Sequence, residues 1–183
     1  MKELPIRKHP RLKGHNYSQN GVYFITFCVK DKREMLGRVD VGRGILDAPF
    51  VELSEYGKAL NDSIEFLNNN KTEIDIVNYV IMPNHVHLIV IINGQHNGAS
   101  GMPRPTNALI PKLVSSIKRF TNKQTGFNLW QHSFHDHIIR NDEDYLRIWQ
   151  YIDENPARWS EDIYYIKPRA TEDGRPYSDD FHL

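Results

Sequence analysis

Ile74-Asp75-Ile76-Val77-Asn78-Tyr79-Val80-Ile81-Met82-Pro83-Asn84-His85-Val86-His87-Leu88-Ile89-Val90-Ile91-Ile92 is the stretch on which the fold turns. Its β-branched density predicts one strand from Ile74 to Met82, a turn at Pro83-Asn84, and a second strand from His85 to Ile92. Along the second strand, alternation sends Val86, Leu88 and Val90 into a core and sets His85 and His87 side by side on the other face. Two imidazoles on so apolar a strand are costly unless something satisfies them. Their spacing suits two ligands of one divalent ion. It suits equally a pair of surface or hydrogen-bonded histidines, and a bare His-x-His does not choose between the two.

Working outward, Val22 to Val29 is rich in β-branched and aromatic residues and reads as a buried strand, while Arg38 to Pro49 is a glycine-rich hairpin or irregular excursion. Ser54 is placed to cap a helix with Tyr56, Leu60, Ile64 and Leu67 on one face, ending at Asn68-Asn69-Asn70. A second helix runs from about Pro111, with Leu113, Ile117 and Phe120 inward, to Gly126. A fourth strand is expected over Leu129 to Ile139. Asn141 then caps a last helix bearing Tyr145, Ile148, Trp149 and Ile152, which Pro156 stops. The order strand, helix, strand, strand, helix, strand, helix predicts an α+β fold: a ferredoxin-like split βαβ antiparallel sheet with an added C-terminal helix. Residues 1–21 read as a basic arm, 22–159 as a single domain, and 160–183 as a polar tail. The fold by itself licenses no function.

Of 183 residues, 39% are hydrophobic and 25% charged, which is ordinary for one globular domain with one core. No apolar run approaches the ~20 residues of a membrane span, and nothing behind Met1 resembles a secretory leader. The single cysteine, Cys28, excludes an intramolecular disulfide and fits a reducing cytoplasm. Formal net charge is zero, but the charges are segregated. Lys2, Arg7, Lys8, Arg11 and Lys13 crowd the opening segment, and Lys112, Lys118, Arg119 and Lys123 crowd the second helix. Such clusters suit either a basic face for phosphates or ordinary solvated lysines.

On the last helix Arg147, Tyr151 and Asn155 share a stripe at four-residue spacing, separate from the apolar stripe. Periodicity therefore does not require Tyr151 for the core. A tyrosine hydroxyl can be a nucleophile, although its pKa of ~10 means that it needs help at neutral pH. It can also be an amphipathic residue at the edge of a packed helix. In Trp130-Gln131-His132-Ser133-Phe134-His135-Asp136-His137, alternation separates Trp130, His132, Phe134 and Asp136 from the other four. The cluster suits nucleic-acid contact, further metal ligation or a hydrogen-bonded strand face.

Together, Tyr79 to Leu88 resembles the His-hydrophobic-His strand of the IS200-like, single-tyrosine transposases. Phe134 to Asn141, followed by Tyr151-Ile152-Asp153-Glu154-Asn155-Pro156, is similar to their branch associated with repetitive extragenic palindromes. The resemblance covers about Tyr17 to Trp159, and the combination is far more specific than any single motif. It implies a domain in which His85, His87 and Asn155 hold Mg²⁺ or Mn²⁺. Tyr151 would attack a phosphate of single-stranded DNA beside an imperfect hairpin, giving a 5′-phosphotyrosine and a free 3′-hydroxyl. Arg7, Lys8 and Arg11 of the arm, with Lys112, Lys118, Arg119 and Lys123, would contact hairpin phosphates, and Arg147 is a further candidate for phosphate contact. It also implies a cytoplasmic, nucleoid-associated protein acting as a monomer rather than a homodimer. The competing readings are a replication or mobilisation nuclease with the same chemistry, a hairpin-DNA-binding module without catalysis, and a hydrolase activating water at His85 and His87.

Overall fold

The computed structural model describes residues 20–40, 48–70, 73–93 and 109–166. Four strands form one antiparallel sheet: β1 (Gly21–Cys28), β4 (Ile74–Ile81), β5 (His85–Ile92) and β6 (His135–Ile139), in the order β4-β5-β1-β6. With helices α1 (Glu55–Asn69) and α2 (Leu109–Thr125) this is the expected ferredoxin-like arrangement. A small ribbon of β2 (Gly37–Asp40) and β3 (Phe50–Leu53) joins β1 to α1, and α3 (Asp142–Glu154) follows β6.

The two faces of the sheet have different covers. Tyr23, Ile25 and Phe27 of β1 and Val86, Leu88 and Val90 of β5 pack with Leu60, Ile64 and Leu67 of α1 and Ile110, Leu113, Val114 and Ile117 of α2. On the opposite face Phe24, Ile89 and Ile139 meet Ile148 and Ile152 of α3. The helix ends follow their caps. Ser54 Oγ accepts from the Gly57 amide, and Asn141 Oδ1 accepts from the Asp144 amide. Pro156 begins a short 3-10 segment, Pro156–Glu161, that turns the chain away from α3.

Two local features depart from simple alternation. In β4, Ile76 pairs with Val90 and Asn78 with Ile89, so Val77 is bulged out. The extra residue reverses parity, which keeps Ile74 and Ile76 before it and Tyr79 and Ile81 after it on the same core side. The expected strand from Leu129 to Ile139 is also shorter, beginning only at His135. Trp130 makes a lone bridge to Val29, and Leu129, Trp130 and Phe134 turn into the core. The carbonyls of Gln131 and Ser133 accept from Lys118 Nζ at 2.7 and 3.0 Å instead of from a neighbouring strand.

Gly57 sits where the β2–β3 ribbon meets α1. A Cβ there would lie 1.9 Å from the Leu36 carbonyl oxygen, which is held by the Ser54 amide at 3.0 Å. Gly57→Ala is expected to destabilise the fold by about 1–3 kcal/mol, seen as a lower urea midpoint at unchanged slope. Gly126, at φ +80° with nothing near its Cβ position, should lose only ~1 kcal/mol as alanine, through backbone strain alone.

Candidate active site

Pairing of β1 with β5 sets Cys28 opposite His85 and Thr26 opposite His87. With Phe24 these residues line the face that α3 covers. His85 and His87 are both buried, and their Nε2 atoms face each other at 2.9 Å. Each remaining ring nitrogen has a fixed neighbour. His85 Nδ1 donates to Asn84 Oδ1 at 2.8 Å, and His87 Nδ1 lies 2.7 Å from Thr26 Oγ1. Asn84 is buried as well, and its Nδ2 donates to the carbonyls of Lys32 and Tyr164. The turn asparagine thus orients His85 while tying two distant segments to the turn. Phe24 stacks on His87 with ring centroids 5.1 Å apart.

The last helix brings its stripe down on this pair. Tyr151 Oη lies 3.3 Å from His87 Nε2 and donates to Asp162 Oδ2 at 3.2 Å. Asn155, one turn further, is 2% exposed; its Nδ2 donates to the same Asp162 oxygen at 3.3 Å. Its Oδ1 is buried without a hydrogen-bond partner. The side chain of Asp162 is 3% exposed, and one ligand atom from each of His85, His87 and Asp162 lies within 4.8 Å of the others. Tyr164 closes the far side, its ring centroid 4.5 Å from that of His85.

Burial governs the protonation of this cluster. Desolvation holds His85 well below its usual pKa, with His87 and Lys32 adding to the effect, and lowers His87 to about 3. Both rings are therefore neutral and keep a nitrogen lone pair. Burial also raises Tyr151 above the ordinary phenol range, and the Asp162 charge raises it further. Cys28, beside His85, is pushed up to about 12 by burial and is an inert thiol.

Of the residues singled out in the sequence, the structure thus gathers His85, His87, Tyr151 and Asn155 in one place. Arg147 is on the same helix but turned outward, paired to Asp144. Lys112, Lys118, Arg119 and Lys123 belong to α2, across the sheet from the histidines. Lys118 is engaged with the 131–133 carbonyls and lies over the Phe27 ring. Arg7, Lys8 and Arg11 lie outside the described residues. Asp162 and Tyr164 were not foreseen, because the short run Asp162-Ile163-Tyr164-Tyr165-Ile166 reads with the polar residues after it as a tail, and it has no period to show that two of its members fold back. Asn84 did carry one, since it directly precedes the first histidine.

The chain belongs to the IS200-like transposase family, which residues 51–155 match. A Haemophilus influenzae protein of uncharacterised function is 30% identical over 175 residues, spanning 87% of this chain and 93% of that one. Among solved structures, a REP-associated tyrosine transposase bound to a REP hairpin has the same fold, with a TM-score of 0.56 at 20% identity, over 91% of this chain and 78% of that one. The family match includes His85, His87, Tyr151 and Asn155 and stops short of Asp162. Among the described residues no helix is long and apolar enough to cross a membrane.

The position of Lys118 can be tested by stability alone. Lys118→Met leaves the carbonyls of Gln131 and Ser133 without their ammonium donor and should cost about 1–3 kcal/mol in urea unfolding. Arg119→Ala, at an exposed position of the same helix, should stay within ~0.5 kcal/mol.

Proposed function

We propose that this protein is a metal-dependent nuclease and strand transferase that cuts single-stranded DNA near hairpins by covalent attack of Tyr151. The observation that carries the reading is the convergence of Tyr151 Oη, two neutral imidazole Nε2 atoms, the Asp162 carboxylate and the orphaned Asn155 Oδ1.

The donor set fits a divalent cation. Two lone pairs aimed at each other at 2.9 Å repel unless a proton or a cation lies between them. The Thr26 hydroxyl can serve either state, donating to His87 Nδ1 in the first and accepting from it in the second. Outer partners of this kind, fixing both rings, are what metal-binding histidines require. His85 and His87 would hold the ion, with Asn155 Oδ1 and the Asp162 carboxylate as the oxygen donors. Nitrogen and oxygen ligands of this mix suit Mn²⁺ or Mg²⁺. When bound, the cation would polarise the scissile phosphate and offset its developing charge.

The chain's own residues supply the rest. Tyr151 Oη attacks phosphorus; the O–P bond forms as the bond to the 3′ oxygen breaks, giving a 5′-phosphotyrosine and a 3′-hydroxyl. The phenolic proton leaves toward Asp162 Oδ2, the acceptor already bonded to it, and is returned to the departing 3′ oxygen. The phosphodiester energy is kept in the link, so reversal rejoins strands. That Tyr151 lies over the histidines of its own chain supports action in cis by a monomer.

The direct test incubates the protein and its Tyr151→Phe variant with Mn²⁺ and single-stranded DNA from the flanks of its own gene, followed by a denaturing gel. A DNA-linked protein band lost in the variant is the expected result. Cleavage that persists in Tyr151→Phe would favour water as nucleophile and sink the assignment. Hairpin binding with Mn²⁺ bound but no cleavage would favour a binding module.

Thr26→Val keeps the shape of a buried side chain and removes only the hydroxyl. It should weaken Mn²⁺ binding by titration calorimetry about 10–100-fold. Unchanged affinity would mean that His87 needs no such partner.

A further inference from the structure

The single 3-10 turn Lys30–Lys32 that follows β1 holds two neighbouring residues with side chains in the left-handed region, Asp31 at φ 59° and Lys32 at φ 54°. A Cβ in that region crowds the following carbonyl, so a turn whose only task was to redirect the chain would be served better by glycine. Such strain persists only where the surroundings over-determine it. Here they do. The Lys30 amide donates to the Leu129 carbonyl at 2.8 Å, and the Lys32 amide donates to the Val29 carbonyl at 3.1 Å. The Lys32 carbonyl accepts from Asn84 Nδ2 at 3.0 Å, and Oδ1 of the same asparagine accepts from His85 Nδ1. One buried side chain therefore fixes both the left-handed lysine and the first histidine of the site.

The side chain so placed is a cation without an acid. Lys32 Nζ lies 5.1 Å from the centroid of the Tyr164 ring and donates to the Ile163 carbonyl at 3.4 Å, a long bond. Among the described residues no carboxylate pairs with it. An ammonium carries three N–H donors, so two are left to offer. Tyr164 in turn lies against His85, and the Lys32 charge reaches that imidazole, where it helps to keep the ring neutral. Other cations are committed elsewhere. Arg147 is held by Asp144, and Lys118 gives its donors to the carbonyls of residues 131–133. A positive charge held at the edge of this cluster, with donors free of any acid, suits an anionic ligand.

We propose that Lys32 is a phosphate-binding residue, holding a phosphodiester of the bound strand within one linkage of the one that Tyr151 attacks. The proposal rests on the nuclease reading for where the cut falls, and not for the binding itself. The strained turn sets the ammonium in place, and Asn84 keeps it in register with His85. The Ile163 carbonyl is a neutral acceptor at long range, which a charged phosphate oxygen displaces. A contact of this kind is indifferent to base identity and fixes where the backbone of the strand sits.

The experiment measures equilibrium binding of single-stranded oligonucleotides from the flanks of the protein's own gene, with Mn²⁺ and in a Tyr151→Phe background, so that no chemistry intervenes. Lys32→Met should weaken binding about 5–10-fold at low salt and lower the slope of log affinity against log salt by about 0.7. Lys32→Arg, which keeps the charge, should stay within about twofold. Lys32→Gly removes the charge and relieves the left-handed backbone. It should bind as weakly as Lys32→Met with a urea midpoint no lower than the parent's, which separates a lost phosphate contact from a lost fold. Neutral methylphosphonate linkages are then placed one at a time along the oligonucleotide. At one linkage the difference between the parent and Lys32→Met should vanish, and the covalent-adduct assay should put the cut at that linkage or the next. Unchanged affinity in Lys32→Met, a difference that persists at every neutral linkage, or a coupled linkage remote from the cut would overturn the proposal. A coupled linkage without adduct sinks the nuclease and leaves the phosphate contact; adduct without a coupled linkage does the reverse.

Discussion

The Nε2 atoms of His85 and His87 face each other at 2.9 Å beneath α3, shut away from solvent. Buried imidazoles are tolerated only when their polar atoms are answered, and the surrounding structure supplies those answers from four separate places. Thr26 comes from β1, Asn84 from the β4–β5 turn, Tyr151 from α3, and Asp162 from the segment beyond it. The register of β1 on β5 is therefore fixed more strictly than apolar packing alone would need. A slip of one residue would exchange Thr26 for Ile25 or Phe27 beside His87 and turn the histidines into the α1–α2 core.

The same constraint explains how the sheet divides its work. One face is closed by α1 and α2 with aliphatic and aromatic side chains, and it supplies most of the buried apolar surface. The other face has a small apolar patch, just enough to seat Ile148 and Ile152 of α3, and beside it the polar cluster. That economy has a structural cost. A helix held by few apolar contacts gains from the bonds of Tyr151 and Asn155 to Asp162, and from Asn78 Nδ2 to Asp153 at 3.1 Å. Polar contacts of the site thus also hold down the helix that carries Tyr151.

Much of this was legible from the residues. The hairpin around Pro83-Asn84, the caps at Ser54 and Asn141 and the stop at Pro156 each rest on a local rule, and each stands where expected. Period-two alternation separated His85 and His87 from Val86, Leu88 and Val90 correctly. The features that escaped depend on long-range contacts. The bulge at Val77 is invisible because Ile74, Ile76, Val77, Tyr79 and Ile81 all suit a strand, and only the fixed position of β5 decides which is extruded. The segment from Leu129 to Phe134 has a strand's composition, yet Lys118, fourteen residues before His132, gathers its carbonyls and bends it. Asp162 was beyond reach, since nothing local distinguishes it from the other acids near it.

The case of α2 shows how the fold redistributes charges that lie close together in a sequence. Four cations within twelve residues suggest a phosphate-binding strip, but the apolar face of α2 commits it to the side of the sheet away from Tyr151. Helical periodicity then spreads the cations around the exposed arc, and one of them, Lys118, is drawn into holding the neighbouring loop. Arg147 on α3 and Arg140, just past the end of β6, lie instead beside the first turns of α3, and Asp144 holds Arg147. A density of positive charge acts at long range and without direction, whereas a guanidinium held by a carboxylate, as Arg147 is by Asp144, presents its remaining N–H groups in a fixed direction.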